Sequence, residues 1–195
     1  QFCPPAAAIT GNAPVCEGST IILSDAVTGG TWTSSDPSTA AVDGVTGVVT
    51  GVNAGNAVIT YMTLCGATVT TVVTVNPVPD VLPIGNQAVC NGATTTAITF
   101  GTTVPGTTFD WTNSDPSIGL AATGTAVSGI PSFTVTNSSN VPVNAVITVT
   151  PVRMGCLGAA QTFTITVNPT PDVVPSSNQT LCNGDTTATI HFTGS

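Results

Sequence analysis

Lysine is absent from this sequence, and Arg153 is its only fixed positive charge. Nine acidic residues oppose it, Glu17 being the only glutamate, and the formal net charge is -8. Nucleic acid and anionic membrane surfaces are bound through cationic faces, so neither is expected as a partner. Lysine is also the usual guard on exposed sheet edges, and without it Thr-rich edges are open to pairing with another chain. His191 is the single histidine. With no C-x-x-C pair either, zinc-ligand spacing is missing and no cofactor is expected. No apolar run reaches the roughly 18 residues that a membrane helix needs, so no membrane insertion is expected. Aromatic residues make up only 5% of the chain and charged residues another 5%. The core is therefore modest, and the charged surface of an ordinary globular protein is lacking.

What is present is Val, Ile, Thr and Ala in alternation. In "QTFTITVN" Phe163, Ile165 and Val167 point one way and Thr162, Thr164 and Thr166 the other. "NAVITYMTLC" sets Ala57, Ile59, Tyr61, Thr63 and Cys65 on one side, and "AVITVTPV" does so with Ala145, Ile147 and Val149. A period of two with one apolar face describes a half-buried strand. Clusters of Gly, Asn, Asp and Pro separate the runs, and no stretch keeps a 3.6-residue period. Many short strands between turns predict an all-β chain of packed two-sheet sandwiches.

The sequence also repeats. "DVLPIGNQAVCNGATTTAITF" from Asp80 returns as "DVVPSSNQTLCNGDTTATIHF" from Asp172, an offset of 92 residues. "VNPVPD" (Val75–Asp80) and "VNPTPD" (Val167–Asp172) mark two joints. Two prolines spaced by one residue make a short, stiff connector. The joints divide the chain into residues 1–78, 79–170 and an incomplete third repeat, 171–195. Two strands alone are marginal in water. The last block is therefore expected to continue in a longer array, or else to be completed by strand addition from a neighbouring molecule; the closeness of the copy favours the first.

Six cysteines are spread along the repeats. Each complete repeat carries a Trp between two of them: Cys16, Trp32, Cys65 and then Cys90, Trp111, Cys156. This spacing predicts the disulfides Cys16–Cys65 and Cys90–Cys156, with Cys3 and Cys182 unpaired within the segment, and an oxidising compartment. A Cys3–Cys182 bond between chains is a further option. Each bridge would close a loop of about 50 residues and contribute roughly 4 kcal/mol in the chain-entropy model. Trp32 and Trp111 are expected in the core, packed on the bridges, rather than as sugar-stacking platforms; Tyr61 is expected there too.

"WTSSDPS" (Trp32–Ser38) recurs as "WTNSDPS" (Trp111–Ser117). Asp36 and Asp115 are the candidates for calcium, but one carboxylate per turn is thin for six to eight oxygen ligands, and adding Asp25 and Asp43 is not supported by spacing. Asp, Ser and Pro simply suit turns. No metal site is expected. Neither is catalysis: a serine triad would need His191, which lies in the incomplete repeat, and no carboxylate pair stands out. Sequons occur at Asn137–Ser139 and Asn178–Thr180.

Residues 30–61, "GTWTSSDPSTAAVDGVTGVVTGVNAGNAVITY", resemble a bacterial Ig-like domain of the group 2 (Big2) kind. The second unit, with Cys90, Trp111, its "SDPS" turn and the "NP-x-P" joints, resembles the PKD-like and Ig-like repeats of long secreted Bacteroidota surface proteins. "DTT" at Asp185–Thr187 resembles a Bacteroidota O-glycosylation signal, with Thr186 as acceptor. The resemblance implies tandem Ig-like β-sandwiches, strung like beads, in an extracellular cell-surface filament or adhesin stalk without enzymatic activity. Its partners would be further copies of the array, with a glycan or surface ligand as an option. The alternatives are a glycan- or protein-binding module, or an accessory array of a secreted hydrolase. Antibody-type domains place Tyr two residues before the second cysteine, where this chain has Thr63 and Met154. The Lys–Asn isopeptide brace of some stalk domains is impossible here, which leaves disulfides as the covalent brace.

Overall fold

The computed structural model describes residues 5–173 and 176–192. Among them stand fifteen β-strands and one turn of 3-10 helix. The chain is all-β and forms two compact units. The first comprises Gln1–Asp80, Thr102–Thr107 and Pro151–Ala159; the second comprises Val81–Gly101, Thr108–Thr150 and Ala160–Ser195.

Seven strands build the first sequence repeat: β1 (Val15–Cys16), β2 (Thr20–Ile22), β3 (Thr31–Ser34), β4 (Ala40–Val42), β5 (Val48–Gly51), β6 (Gly55–Met62) and β7 (Thr68–Asn76). One sheet has the order β1-β7-β6-β3 and the other β2-β5-β4. This is the strand distribution of an Ig-like sandwich, with the short first strand on the sheet of the last. The long pair β6–β7 is antiparallel, in register from Gly55↔Val75 to Met62↔Thr68. Its alternation puts Ala57, Ile59 and Tyr61 inside with Val73 and Val75, and leaves Val58 and Met62 outside. Leu23 and Val49, from the second sheet, close the same core. The strand ends at Met62, so Cys65 falls in the exposed turn that follows rather than on the buried face.

The second sequence repeat follows the same plan with β8 (Gln87–Cys90), β9 (Ile98–Thr99), β10 (Thr108–Asn113), the 3-10 turn Pro116–Ile118, β11 (Thr123–Val127), β12 (Gly129–Ile130), β13 (Val143–Arg153), β14 (Cys156–Leu157) and β15 (Gln161–Asn168). Its main sheet runs β11-β10-β13-β15-β8, and β9 pairs with β12. Ala145, Ile147 and Val149 of β13 face Phe163, Ile165 and Val167 of β15 in one core with Phe109 and Trp111. The tip of β13 and the β14 hairpin belong to the first unit.

Both units are closed in the same way. The first strand runs parallel to the last: Val15↔Val75 and Cys16↔Asn76 in one, Gln87↔Ile165 through Cys90↔Asn168 in the other.

Residues 176–192 hold no strand among the described residues. They nevertheless repeat a local contact of the second unit. The Gln87 side chain bonds the backbone of Thr96 in both directions, at 3.0 and 3.1 Å. Gln179 does the same to Ala188, at 3.0 and 2.9 Å. Ile190 and Phe192 are 48% and 75% exposed, while their counterparts Ile98 and Phe100 are 7% and 5% exposed. The local turn forms from its own residues, whereas burial needs the opposing strands.

The core can be tested by truncation. Phe109→Ala removes a ring that is 2% exposed and is expected to cost about 3–5 kcal/mol. Val146→Ala on the outer face of β13 is expected to cost less than about 1 kcal/mol. Urea titration followed by Trp fluorescence measures both.

Candidate functional site

The residues that the sequence singles out gather around the strand ends and joints, and the cysteines lead. Cys16 is bonded to Cys156, 140 residues away, with Cα atoms 5.7 Å apart. The expected pairs Cys16–Cys65 and Cys90–Cys156 are therefore corrected. Strand direction gives the reason. Cys16 lies beside Asn76, at the end of β7, while Cys65 lies in the turn that precedes Thr68, at its start. Eight residues of strand separate these levels, about 27 Å, and a disulfide needs Cα atoms within roughly 7 Å. Likewise Cys90 lies beside Asn168, at the end of β15. Cys156 pairs with Arg153, beyond the Val149↔Gln161 end of the β13–β15 ladder. Cys65 is itself disulfide-bonded, though not to Cys16. Cys90 and Cys182 are exposed free thiols. Cys3 lies outside the described residues.

The hairpin that carries Cys156 is seated on the first joint. Gly158 passes so close to Pro79 that a Cβ there would overlap the Pro79 carbonyl oxygen and press on Pro151. Gly158 N donates to Pro151 O at 3.0 Å. Arg153 packs beside Gly106, its Nε buried without a hydrogen-bond partner.

Each joint is held by the residue after the first-strand cysteine. Glu17 N donates to Asn76 O at 3.0 Å, and the Glu17 carboxylate accepts from Val78 N at 3.2 Å and Ala54 N at 2.7 Å. Asn91 N donates to Asn168 O at 2.9 Å, and its side chain donates to Thr170 Oγ1 at 3.0 Å. Asp80 ends the first joint by accepting from Thr102 Oγ1 and Thr103 N at 2.8 and 2.7 Å. These two bonds, the backbone one first, draw its carboxyl below the ordinary 3.8.

The "SDPS" motif has a structural role in both units. Ser35 N donates to Val58 O, and Ser35 Oγ accepts from Val58 N at 3.0 Å. Ser114 does the same with Val146. The hydroxyl thus completes the ladder where the backbone turns away. Asp36 accepts from Ser38 Oγ, Ser38 N and Thr39 Oγ1, and the hydroxyl of Ser38 leads in lowering its carboxyl. Asp115 caps the 3-10 turn through Ser117 N. Asp43 accepts from Thr46 N and Val45 N, which lower its carboxyl in that order. Asp25 Oδ1 accepts from Val27 N. Asp36, Asp43 and Asp115 are each engaged by their own loop, Asp25 Oδ1 also accepts from Ala7 N at 3.4 Å, and no cluster of three metal-ligating side chains occurs among the described residues.

Trp32 is 6% and Trp111 7% exposed, which leaves no ring face for a sugar. Trp32 packs on Tyr61 with centroids 4.5 Å apart. Tyr61 Oη donates to Val27 O at 2.5 Å and accepts from Gly30 N at 2.8 Å. Trp32 stands level with Tyr61 and Val69, toward the opposite end of β7 from Cys16, so the ring is not packed on the bridge. The sequon at Asn137 is closed. Asn137 is 6% exposed and its amide donates to Val141 O and Val167 O. Thr186, Asn178 and His191 are exposed.

Residues 87–171 match the model of a PKD-like domain. No curated protein matches the chain. Among solved structures, domains 4 and 5 of the S-layer protein SbsC are 15% identical, with 85% of this chain and all of that one covered and a TM-score of 0.38. The tandem Ig repeats of Dlar are 13% identical, covering 85% and 99%, with a TM-score of 0.34. DIP-gamma IG1+IG2 is 11% identical, covering 85% and 98%, with a TM-score of 0.39. At these scores the fold rests on the strand order itself. The class so defined is the Ig-like sandwich, with similarity to PKD-like domains over the second repeat. PKD-like and Ig-like domains are typically structural rather than enzymatic. No described helix is long and apolar enough to cross a membrane.

Arg153 makes the pairing testable, because trypsin has no other site. Cleavage there leaves residues 1–153 and 154–195 joined only through Cys16–Cys156. On a non-reducing denaturing gel the cut chain is expected to run as one band, Cys16→Ser to release the small fragment, and Cys90→Ser not to. Closing a 140-residue loop contributes about 5 kcal/mol in the chain-entropy model, and thermal unfolding of Cys16→Ser measures that loss.

A second expectation concerns acid. Asp36, Asp43 and Asp80 have lowered folded pKa values. Their contribution is complete above the unfolded value near 3.8 and is lost as pH falls through the lower folded values. Stability followed by circular dichroism is expected to drop below about pH 4, and to drop less in Asp80→Asn.

Proposed function

We propose that this chain is a non-catalytic structural segment of an extracellular, repetitive cell-surface filament or adhesin stalk. Residues 30–61 fit the Big2-type domain and the second repeat the PKD-like repeats of long Bacteroidota surface proteins. Residues 171–195 begin a third repeat of a longer array. The observation that carries the reading is the parallel pairing of first and last strands. A repeat pulled by its two ends slides β8 along β15, so the hydrogen bonds along four residue pairs, Gln87↔Ile165 to Cys90↔Asn168, are strained together rather than one after another. The clamped joints and the Cys16–Cys156 bond suit the same task. Buried Trp32 and Trp111 weigh against a sugar-binding module. Thr186 is the site proposed to carry an O-glycan.

Stretching single chains in the force microscope tests this. Each repeat is expected to resist as a shear-loaded unit. Val89→Pro, which removes from β8 an N–H on the same side as that of Asn91, the donor to Asn168 O, is expected to lower the unfolding force of the second repeat more than its equilibrium stability. Extension at low force in the unaltered chain would remove the mechanical reading.

A further inference from the structure

The two repeats differ in one respect that their folds do not explain. In the first, the surface formed by the end of β1 and the joint is covered: Cys16 is half-buried, and Asn76 and Pro79 are buried. What covers it is the hairpin of Pro151–Ala159, with Cys156 bonded to Cys16 and Gly158 against Pro79. In the second, the same surface is open. Cys90 stands where Cys16 does, and Pro171 where Pro79 does; both are exposed, and Asn168 is only half-buried.

The backbone at the two cysteines is the same. Cys16 and Cys90 each end a first strand that lies parallel to the last, opposite Asn76 and Asn168. Each opens a tight turn, with Ser19 N donating to Cys16 O at 2.9 Å and Ala93 N to Cys90 O at 3.0 Å. Gly18 and Gly92 adopt φ of 76° and 80°. Cys182 opens a third such turn, with Asp185 N donating to its carbonyl at 3.1 Å and Gly184 at φ 99°. The surface that receives a cysteine-bearing hairpin in the first repeat is thus rebuilt, uncovered, in the second.

We propose that Cys90, together with Pro171, is the docking site for the hairpin of a further sandwich repeat, and that Cys90 forms a disulfide with that hairpin's cysteine. The rule would be that the first-strand cysteine of one repeat bonds the hairpin cysteine of the next, as Cys16 bonds Cys156. A covalent ladder then runs along the array. Two thiols give up two protons and two electrons to a disulfide oxidant such as oxidised glutathione, which leaves as two thiols. The proposal rests on the reading of the chain as part of a longer array. It does not rest on the mechanical role, which the stretching experiment tests separately.

The repeat offset supplies the experiment. Residues 172–195 copy 80–103, so appending residues 104–171 to Ser195 completes a third repeat in register. In the unextended chain, iodoacetamide under native conditions is expected to alkylate Cys90; protection of Cys90 there overturns the proposal. In the extended chain, refolded with oxidised and reduced glutathione, Cys90 is expected to become unreactive, and peptide mass mapping to find it bonded to the appended copy of Cys156. Cys182 is expected to stay reactive. A Cys90 that is still alkylated overturns the proposal, whether the appended cysteine bonds Cys182 or nothing.

Discussion

The parallel pairing of first strand with last governs most of this molecule. Because the two strands point the same way, the end of the first lies beside the end of the last and so beside the exit joint. The connection between the two longest strands lies at the other end. A cysteine closing the first strand is therefore a full strand length from the cysteine in that connection, and a bridge inside one repeat is out of reach. The same pairing places Glu17 and Asn91 where they can hold the joints.

With only 5% of its residues charged, the chain has little use for ion pairs. Short polar side chains bonded to nearby backbone take their place. Ser35 and Ser114 complete the ladder at the end of β3 and β10. Asp36, Asp43, Asp80 and Asp115 organise turns, and Asn137 ties its loop to the last strand. Such bonds satisfy donors that a turn would otherwise leave bare, and they depend little on salt. Ser35 with Asp36 and Ser114 with Asp115 do this at matched positions in the two repeats, which explains why that motif recurs without forming a ligand site.

These features fit together in the proposed stalk. Trp32, Tyr61, Phe109 and Trp111 fill the cores, the turns close locally, and Cys16–Cys156 fastens a hairpin to the first joint. The surface beside Cys90 and Pro171 is exposed in the second repeat, while its counterpart beside Cys16 and Pro79 is covered in the first.

Much of this was legible in the residues. Period-two alternation in Gln161–Asn168 and Gly55–Met62 gave the strands and their buried faces, because each strand reads its own pleat. The joints and the 92-residue repeat were plain, since prolines and copied turns are local signals. The cysteine partners were not. Spacing treats the repeat as a closed loop, whereas pairing depends on which end of a strand each sulfur occupies, and that is set by hydrogen bonding to a strand some sixty to eighty residues distant. The closure of the Asn137 sequon was hidden for a similar reason: a loop that looks exposed from its composition is folded back onto Val167. The sequence by itself determined where strands, turns and joints would form, because those follow from neighbours along the chain. Only the tertiary structure decided which sulfurs meet and which surfaces stay open, because strand direction brings together residues that no local pattern connects.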